Sequence, residues 1–180
     1  MRILPFDNYY NQLILETEYE GKELLERIIN SKTIEEAERI ISTVSHLSYE
    51  YATLILKDRF ELGEKEIATS SWYSFYYALK VLNGTRVPII EKTIAESAQY
   101  SFSYARDCLK GRFELGEPEI ATDSLLSLYY AFQIMKGRFE LGEKEICDHP
   151  DRSMRYIDML QNKKIPVPDI FKAKYHTYIK

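Results

Sequence analysis

Apolar positions recur in this chain with the 3.6-residue period of an amphipathic helix. In one stretch Ser127, Leu128, Ala131, Ile134 and Met135 fall on one face of a helix of roughly 14 residues. The same pattern returns about every 26 residues, and a shorter helix-like segment precedes each copy. The pattern therefore predicts repeated pairs of helices, a short first helix followed by a longer second one.

Five copies of this pattern, called units 1 to 5, align on a serine with a tyrosine three residues later. The pairs are Ser48 and Tyr51, Ser74 and Tyr77, Ser101 and Tyr104, Ser127 and Tyr130, and Ser153 and Tyr156. A fixed repeat of this length indicates stacked structural units that bury their apolar faces against one another. We predict one all-α domain over residues 1–180, an α-solenoid of five helix–turn–helix repeats of about 26 residues (33–162). Residues 1–32 and 163–180 are predicted to form helical caps.

A loop motif joins the units, and the chain repeats it almost unchanged at residues 57–64, 110–117 and 136–143. The last two copies both read Lys-Gly-Arg-Phe-Glu-Leu-Gly-Glu, and a degenerate copy starts at Asn83. The glycines Gly84, Gly111 and Gly137 are predicted to end the second helices in the left-handed conformation. Phe60, Phe113 and Phe139, with the leucine two residues after each, are predicted to anchor the loops.

Composition narrows the classes of function. The net charge of −4 implies no general affinity for nucleic acid or anionic membrane, although residues 161–180 hold five lysines against one aspartate. No run of 18 apolar residues occurs, so no membrane partner is expected. Two cysteines without a close partner argue against a disulfide scaffold and favour an intracellular setting.

Catalytic chemistry finds little support. The histidines His46, His149 and His176 are isolated, and none of the motifs of metal, nucleophile or redox sites is present. Cys108 and Cys147 fall at positions predicted to be buried. We predict no catalytic residue, no metal site and no cofactor.

The arginines of the loop motif have two interpretations. Arg59, Arg112 and Arg138 would line one edge of the stack and could bind phosphates or a nucleic-acid backbone. Each lies among glutamates, however, and guanidinium groups form strong paired hydrogen bonds with carboxylates. Pairing with carboxylates or helix-end carbonyls of an adjacent unit is the favoured interpretation, and anion binding is the alternative. The serine–tyrosine columns are likewise favoured as packing positions, with each tyrosine hydroxyl bonded to a loop carbonyl or carboxylate.

The units differ most at positions −2, +2 and +5 from the serine, on a face opposite the apolar stripe. Units 1, 3 and 5 are polar there: His46, Glu50 and Thr53; Gln99, Ser103 and Arg106; Asp151, Arg155 and Asp158. Units 2 and 4 instead carry large apolar side chains: Trp72, Tyr76 and Leu79; Leu125, Tyr129 and Phe132. These six residues, called the outer face, are predicted to bind a partner. The alternative is that the N-terminal 32 residues cover one of the two patches.

The loop motif, followed by a helix containing Tyr-Ala, resembles tandem repeats in uncharacterised proteins of large tailed bacteriophages and other large DNA viruses. The resemblance covers residues 57–69 and 105–147 best. It implies a viral accessory or virion protein, found in the cytoplasm of the host cell or in the virion. The resemblance assigns no functional role to any residue of this chain.

Taken together, the sequence predicts a non-enzymatic protein-interaction module that binds a host, defence or viral protein, or associates with itself. One alternative is a structural component of the virion. The other is a nucleic-acid or nucleotide binder that uses the loop arginines and the basic C-terminal tail.

Overall fold

Helices make up all the regular structure in the described part of this chain. The computed structural model describes residues 21–23, 25–30 and 32–179, and no strand occurs within those ranges. The all-α prediction is confirmed. Most of the predicted N-terminal cap lies outside the described residues.

The helices come in pairs that follow the five units. Unit 1 contains α1 (Ile34–Ile41) and α2 (Ser45–Glu50), and unit 2 contains α3 (Glu64–Ile67) and α4 (Ser71–Tyr77). Unit 3 contains α5 (Pro88–Ala95) and α6 (Ala98–Ser103), unit 4 contains α7 (Glu117–Ile120) and α8 (Ser124–Tyr130), and unit 5 contains α9 (Glu143–Cys147) and α10 (Pro150–Asn162). The C-terminal helix α11 spans Asp169–Tyr175. Short 3-10 turns at Glu61–Gly63, Glu114–Gly116 and Glu140–Gly142 lead into α3, α7 and α9.

Four of the second helices change type halfway along, which the 3.6-residue pattern did not predict. The α-helical turns of α2, α4, α6 and α8 continue as π-helices at Tyr51–Leu56, Ala78–Leu82, Tyr104–Leu109 and Ala131–Met135. Only α10 keeps α-helical geometry over its whole length among these second helices. The predicted period therefore describes the first half of most second helices.

The second helices of units 1 to 4 end one residue earlier than predicted. The left-handed residues after them are Lys57, Asn83, Lys110 and Lys136, whereas in unit 5 the left-handed residue is Lys164; of the glycines only Gly84, with φ 91°, has a positive φ. In units 3 and 4 the N–H of the left-handed lysine donates to the carbonyl five residues earlier, and the next glycine N–H donates to that same carbonyl at 3.0 and 3.1 Å. This wide final turn places the reversal on the residue before the glycine.

Side-chain caps explain where several helices begin. Thr33 and Glu36 form the predicted capping box at the start of α1. Ser70, Ser97 and Asp123 each accept a hydrogen bond from a backbone N–H in the first turn of the second helix that follows. The cap at Ser97 separates α5 from α6, so unit 3 also has two helices.

The serine column fixes the angle between the two helices of each unit. All five serine side chains are fully buried, and each Oγ donates to the carbonyl of the isoleucine seven residues earlier. The distances from unit 1 to unit 5 are 2.9, 3.3, 3.0, 3.0 and 2.9 Å. A small hydrogen-bonding side chain at this position thus ties the second helix to the end of the first one.

Contacts between units follow the order of the chain. The second helix α2 contacts α4, α4 contacts α6, α6 contacts α8, and α8 contacts α10. At one end, Leu25 is fully buried, and Gly21 lies directly against the carboxylate of Glu50 in unit 1. At the other end, α11 contacts α9, and its buried Phe171 packs on Tyr156 with ring centroids 5.2 Å apart.

Candidate functional site

The arginines of the loop motif bind a glutamate five residues further on. In unit 4, Arg112 donates from Nε and Nη2 to the two carboxylate oxygens of Glu117, both at 2.8 Å. The pairs Arg59–Glu64, Arg86–Glu91 and Arg138–Glu143 have the same two-bond geometry, with distances of 2.6–3.1 Å. The glutamate is buried in all four pairs. The prediction of an arginine–carboxylate pair is therefore confirmed, but the carboxylate belongs to the same unit and not to an adjacent one.

The tyrosine column completes this network. The Tyr130 hydroxyl donates to Glu117 Oε1 at 2.8 Å and accepts a hydrogen bond from the Phe113 N–H at 2.9 Å. Tyr77 and Tyr156 make the same two bonds with the matching residues of units 2 and 5. Tyr104 and Tyr51 donate to Glu91 and Glu38 at 2.7 and 2.9 Å. The prediction that each tyrosine hydroxyl bonds a carboxylate is confirmed in all five units.

Charge states within the network are fixed near neutral pH. The hydrogen bond from Arg112 lowers the pKa of Glu117 and outweighs the effect of burial. Burial raises the pKa of Tyr130, with the Glu117 carboxylate adding to the shift. In unit 4 the Glu117 carboxylate is thus ionised and the Tyr130 phenol is neutral near neutral pH.

The phenylalanine and second glycine of the motif connect each loop to the preceding unit. The Phe113 ring meets the Tyr104 ring edge-on, with centroids 4.9 Å apart. A Cβ added to Gly116 would overlap the Ser101 side chain, although the φ of −94° suits any residue. Glycine is needed at this position for close approach, and Gly63 and Gly142 meet Ser48 and Ser127 in the same way.

The leucine of the motif behaves differently from its neighbours. Leu62, Leu115 and Leu141 are 55%, 55% and 59% exposed, so the prediction that they anchor the loops is wrong. The preceding phenylalanine already fills the apolar site between units, which leaves the leucine on the surface of the 3-10 turn.

Anion binding by Arg59, Arg112 and Arg138 remains a prediction, and the geometry does not favour it. Two nitrogens of each guanidinium already bind a buried carboxylate. The third nitrogen, Nη1, lies 3.1 Å from Glu61 in unit 2, 4.0 Å from Glu114 in unit 4 and 3.3 Å from Glu140 in unit 5. An incoming phosphate would compete with these carboxylates and meet their repulsion.

The outer face of unit 2 is an aromatic cluster that extends into unit 1. The Trp72 ring lies 4.5 Å from Tyr76 and 5.6 Å from Tyr49 of α2, measured between ring centroids. Trp72 and Tyr76 are half-buried and pack against the core, whereas Leu79 is 39% exposed. Part of the apolar surface predicted to bind a partner therefore serves the packing of neighbouring units.

The outer face of unit 4 is likewise divided between a residue that packs against a neighbouring unit and one that is exposed. Tyr129 is half-buried and faces Phe102 of unit 3 with centroids 6.4 Å apart, while Leu125 is half-exposed. Phe132, at the position equivalent to Leu79, is also 39% exposed. It borders a shallow open depression whose other lining residues are Arg155, Asp158, Met159, Asn162 and Lys163.

Two polar positions predicted to face water are buried. Glu50 is 5% exposed, and Gly21 lies directly against its carboxylate. Ser103 is 6% exposed and accepts a hydrogen bond from Gln99 Nε2 at 3.4 Å. The other polar positions of units 1, 3 and 5 are partly or fully exposed.

Groups that could support catalysis do not converge in the described residues. His46, His149 and His176 are each exposed, and within the described ranges no cluster of three or more His, Cys, Asp or Glu side chains could hold a metal ion. Burial raises the pKa of the Cys108 thiol to about 12 and raises that of Cys147 as well. Both thiols are therefore protonated and weakly nucleophilic near neutral pH.

No family model, no curated protein and no solved structure matches this chain. Among the residues that the structure describes, no helix combines the length and apolar character needed to cross a membrane.

Proposed function

We propose that this chain is a non-enzymatic protein-binding module, built as an α-solenoid of five repeats with a helical cap at each end. Two sets of contacts support the solenoid. The serine and tyrosine columns make equivalent hydrogen bonds in every unit, and the second helices touch one another in chain order. Repeats that contact only their neighbours form an extended stack whose long surface suits binding.

The observation that carries the binding function is the pair of exposed apolar residues on the outer face. Leu79 and Phe132 stand at the same position of the π-helices that continue α4 and α8, and both are 39% exposed. The equivalent residues of the other units are Thr53, Arg106 and Asp158. Apolar side chains kept at two matched surface positions, each beside a half-buried aromatic cluster, are typical of a protein interface.

A viral origin belongs to the same proposal, since the loop motif resembles repeats in phage and other large viral proteins. In that setting the partner is a host, defence or viral protein, or a second copy of this chain, in the cytoplasm or in the virion. Because the tyrosine and arginine side chains of the motif are used internally, binding rests on the outer face rather than on the loop network.

The test uses substitutions at the exposed pair, because changes at half-buried Trp72 or Tyr129 would also disturb packing between units. We expect Leu79→Asp combined with Phe132→Asp to abolish self-association in sedimentation velocity, or to abolish capture of the partner from a lysate of the host. Ile40→Asp is the matched control, since Ile40 is 40% exposed and lies on α1. Unchanged association and capture by the double variant would refute the proposal.

A further inference from the structure

A row of exposed apolar side chains lies at the loops, away from the outer-face residues in sequence. Leu62, Leu115 and Leu141 are 55%, 55% and 59% exposed, and Ile89, at the equivalent position of unit 3, is 43% exposed. These four residues, called the leucine row, stand 27, 26 and 26 positions apart. One large apolar side chain is thus presented at the same surface position by four consecutive units.

Internal structure accounts for four other positions of the motif but not for the leucine. The arginine and second glutamate form the buried ion pair, the phenylalanine packs on the preceding tyrosine, and the second glycine allows close approach to the preceding serine. The leucines are instead more than half exposed.

Sequence divergence elsewhere makes the retained leucine informative. Residues 110–117 and 136–143 are identical at all eight positions. The second helices that follow, residues 124–135 and 150–161, match only at the serine and the tyrosine. Because the second helices have changed so much, an exposed leucine kept in three copies indicates a role outside the fold.

The surface around the three leucines of the row is negatively charged, whereas residues 84–95, around Ile89, hold one carboxylate against two cations. Residues 58–69 hold four carboxylates against two cations, residues 111–122 hold three against one, and residues 137–148 hold four against two, so each segment has a net charge of −2. The glutamate before each leucine, Glu61, Glu114 or Glu140, has a side chain that is 73–78% exposed. The cationic arginine of each segment is already paired with a buried glutamate.

We infer that the leucine row binds a cationic amphipathic helix of a partner protein. The inference rests on the proposed solenoid, in which neighbouring units lie about 8–10 Å apart, the usual distance between packed helices. Two turns of an α-helix advance about 10.8 Å, so apolar side chains seven residues apart on the partner would meet one leucine per unit. Lysine or arginine side chains beside them would meet the exposed glutamates.

A second copy of this chain is a poorer occupant, although residues 161–180 are basic. Within α11, Lys172 is hydrogen-bonded to Asp169 at 2.7 Å, and Lys174 binds Asp148 at 3.1 Å and the Cys147 carbonyl at 3.0 Å. The buried Phe171 of the same helix packs on unit 5. These contacts hold the C-terminal helix against unit 5 of its own chain.

The test measures binding of a labelled synthetic 28-residue helix that carries leucine at every seventh position and lysine beside it. A control peptide replaces each lysine with glutamate. Fluorescence anisotropy on the full-length protein should show binding of the lysine peptide that weakens as salt rises, because charge pairs at an exposed surface are screened. The glutamate peptide should not bind.

Variants of the row then locate the site. We expect Leu62→Ser, Leu115→Ser and Leu141→Ser each to weaken binding about fivefold, and the triple variant to weaken it more than a hundredfold, since each change removes an apolar contact. The melting temperature should hardly change, because these side chains are largely exposed. The outer-face variant, Leu79→Ser with Phe132→Ser, should bind the peptide normally.

Three outcomes would overturn the inference: equal affinity of the wild type and the triple variant, tight binding of the glutamate peptide, or self-association that the triple variant abolishes. Loss of peptide binding in the outer-face variant alone would also overturn it, while leaving the proposed binding function intact. Conversely, normal partner capture by the outer-face variant would refute the proposed function but would not contradict helix binding by the leucine row.

Discussion

Replacing Tyr130 with phenylalanine removes one oxygen atom from the buried network of unit 4 and leaves the ring in place. That oxygen donates to Glu117 Oε1 at 2.8 Å and accepts the Phe113 N–H at 2.9 Å in a fully buried side chain. A hydrogen bond to a charged group contributes about 1.5–3 kcal/mol, and a buried donor without a partner costs about 1–3 kcal/mol. We therefore expect Tyr130→Phe to lower the free energy of unfolding by about 3 kcal/mol.

The same change should cost different amounts in different units. Tyr77 and Tyr156 also hold both a glutamate and a loop N–H, so their phenylalanine variants should match Tyr130→Phe. Tyr51 donates to Glu38 at 2.9 Å and has no loop N–H partner in the described part of the chain. We expect about half the loss for Tyr51→Phe, roughly 1.5 kcal/mol.

Urea unfolding followed by circular dichroism measures these differences. With a slope of about 2 kcal/mol/M, a loss of about 3 kcal/mol lowers the midpoint by about 1.5 M. Tyr129→Phe is the matched control, because Tyr129 is the neighbouring residue and is only half-buried; its midpoint should hardly move. Two results would refute this explanation: a loss of stability for Tyr129→Phe as large as for Tyr130→Phe, or a loss for Tyr51→Phe as large as for Tyr77→Phe or Tyr156→Phe.

Further predictions test other parts of the account. Gly116→Ala should lower the free energy of unfolding by about 2–4 kcal/mol, because its Cβ would collide with Ser101. Gly111→Ala, whose Cβ would meet only an atom 3.7 Å away, should cost much less, and equal losses for the two variants would contradict this prediction. Lys110→Gly should raise the free energy of unfolding by about 0.5–1 kcal/mol, because it relieves a left-handed side-chain-bearing residue with φ 51°; a lower midpoint would contradict this. Burial raises the pKa of Tyr51 to about 12, and the four other column tyrosines are also raised. Their folded pKa exceeds the unfolded one, so this stability is complete below about pH 10 and is lost as the pH rises above it. Tyrosinate absorbance from the column should appear together with loss of helix, and its appearance in the folded protein would contradict the burial.

Repetition explains why much of the fold could be predicted from the sequence. A serine found in five matching positions must have the same surroundings in each unit, and one buried hydrogen bond to an isoleucine carbonyl explains all five. Residues such as Thr33 and Asp123 begin helices because their side chains accept hydrogen bonds from local N–H groups.

Other features could not be predicted because the sequence pattern does not distinguish them. A π-helix of five or six residues presents too few apolar positions to be told from an α-helix, so the left-handed residue fell on Lys110 rather than Gly111. The sequence pattern did not predict the exposure of Leu115, because it did not show that Phe113, two residues earlier, fills the apolar site between units without it. The half-burial of Trp72 depends on Tyr49 of another unit, a contact that a single unit does not reveal.

The central claim is that the units stack one after another along the chain, and distances between spin labels at equivalent positions test it most directly. Labels would be placed on cysteines substituted at Leu62, Leu115 and Leu141, with Cys108 and Cys147 replaced by alanine. At about 10 Å per unit, the stack predicts about 20 Å between positions 62 and 115 and about 30 Å between positions 62 and 141. A distance from 62 to 141 equal to or shorter than that from 62 to 115 would contradict the stack.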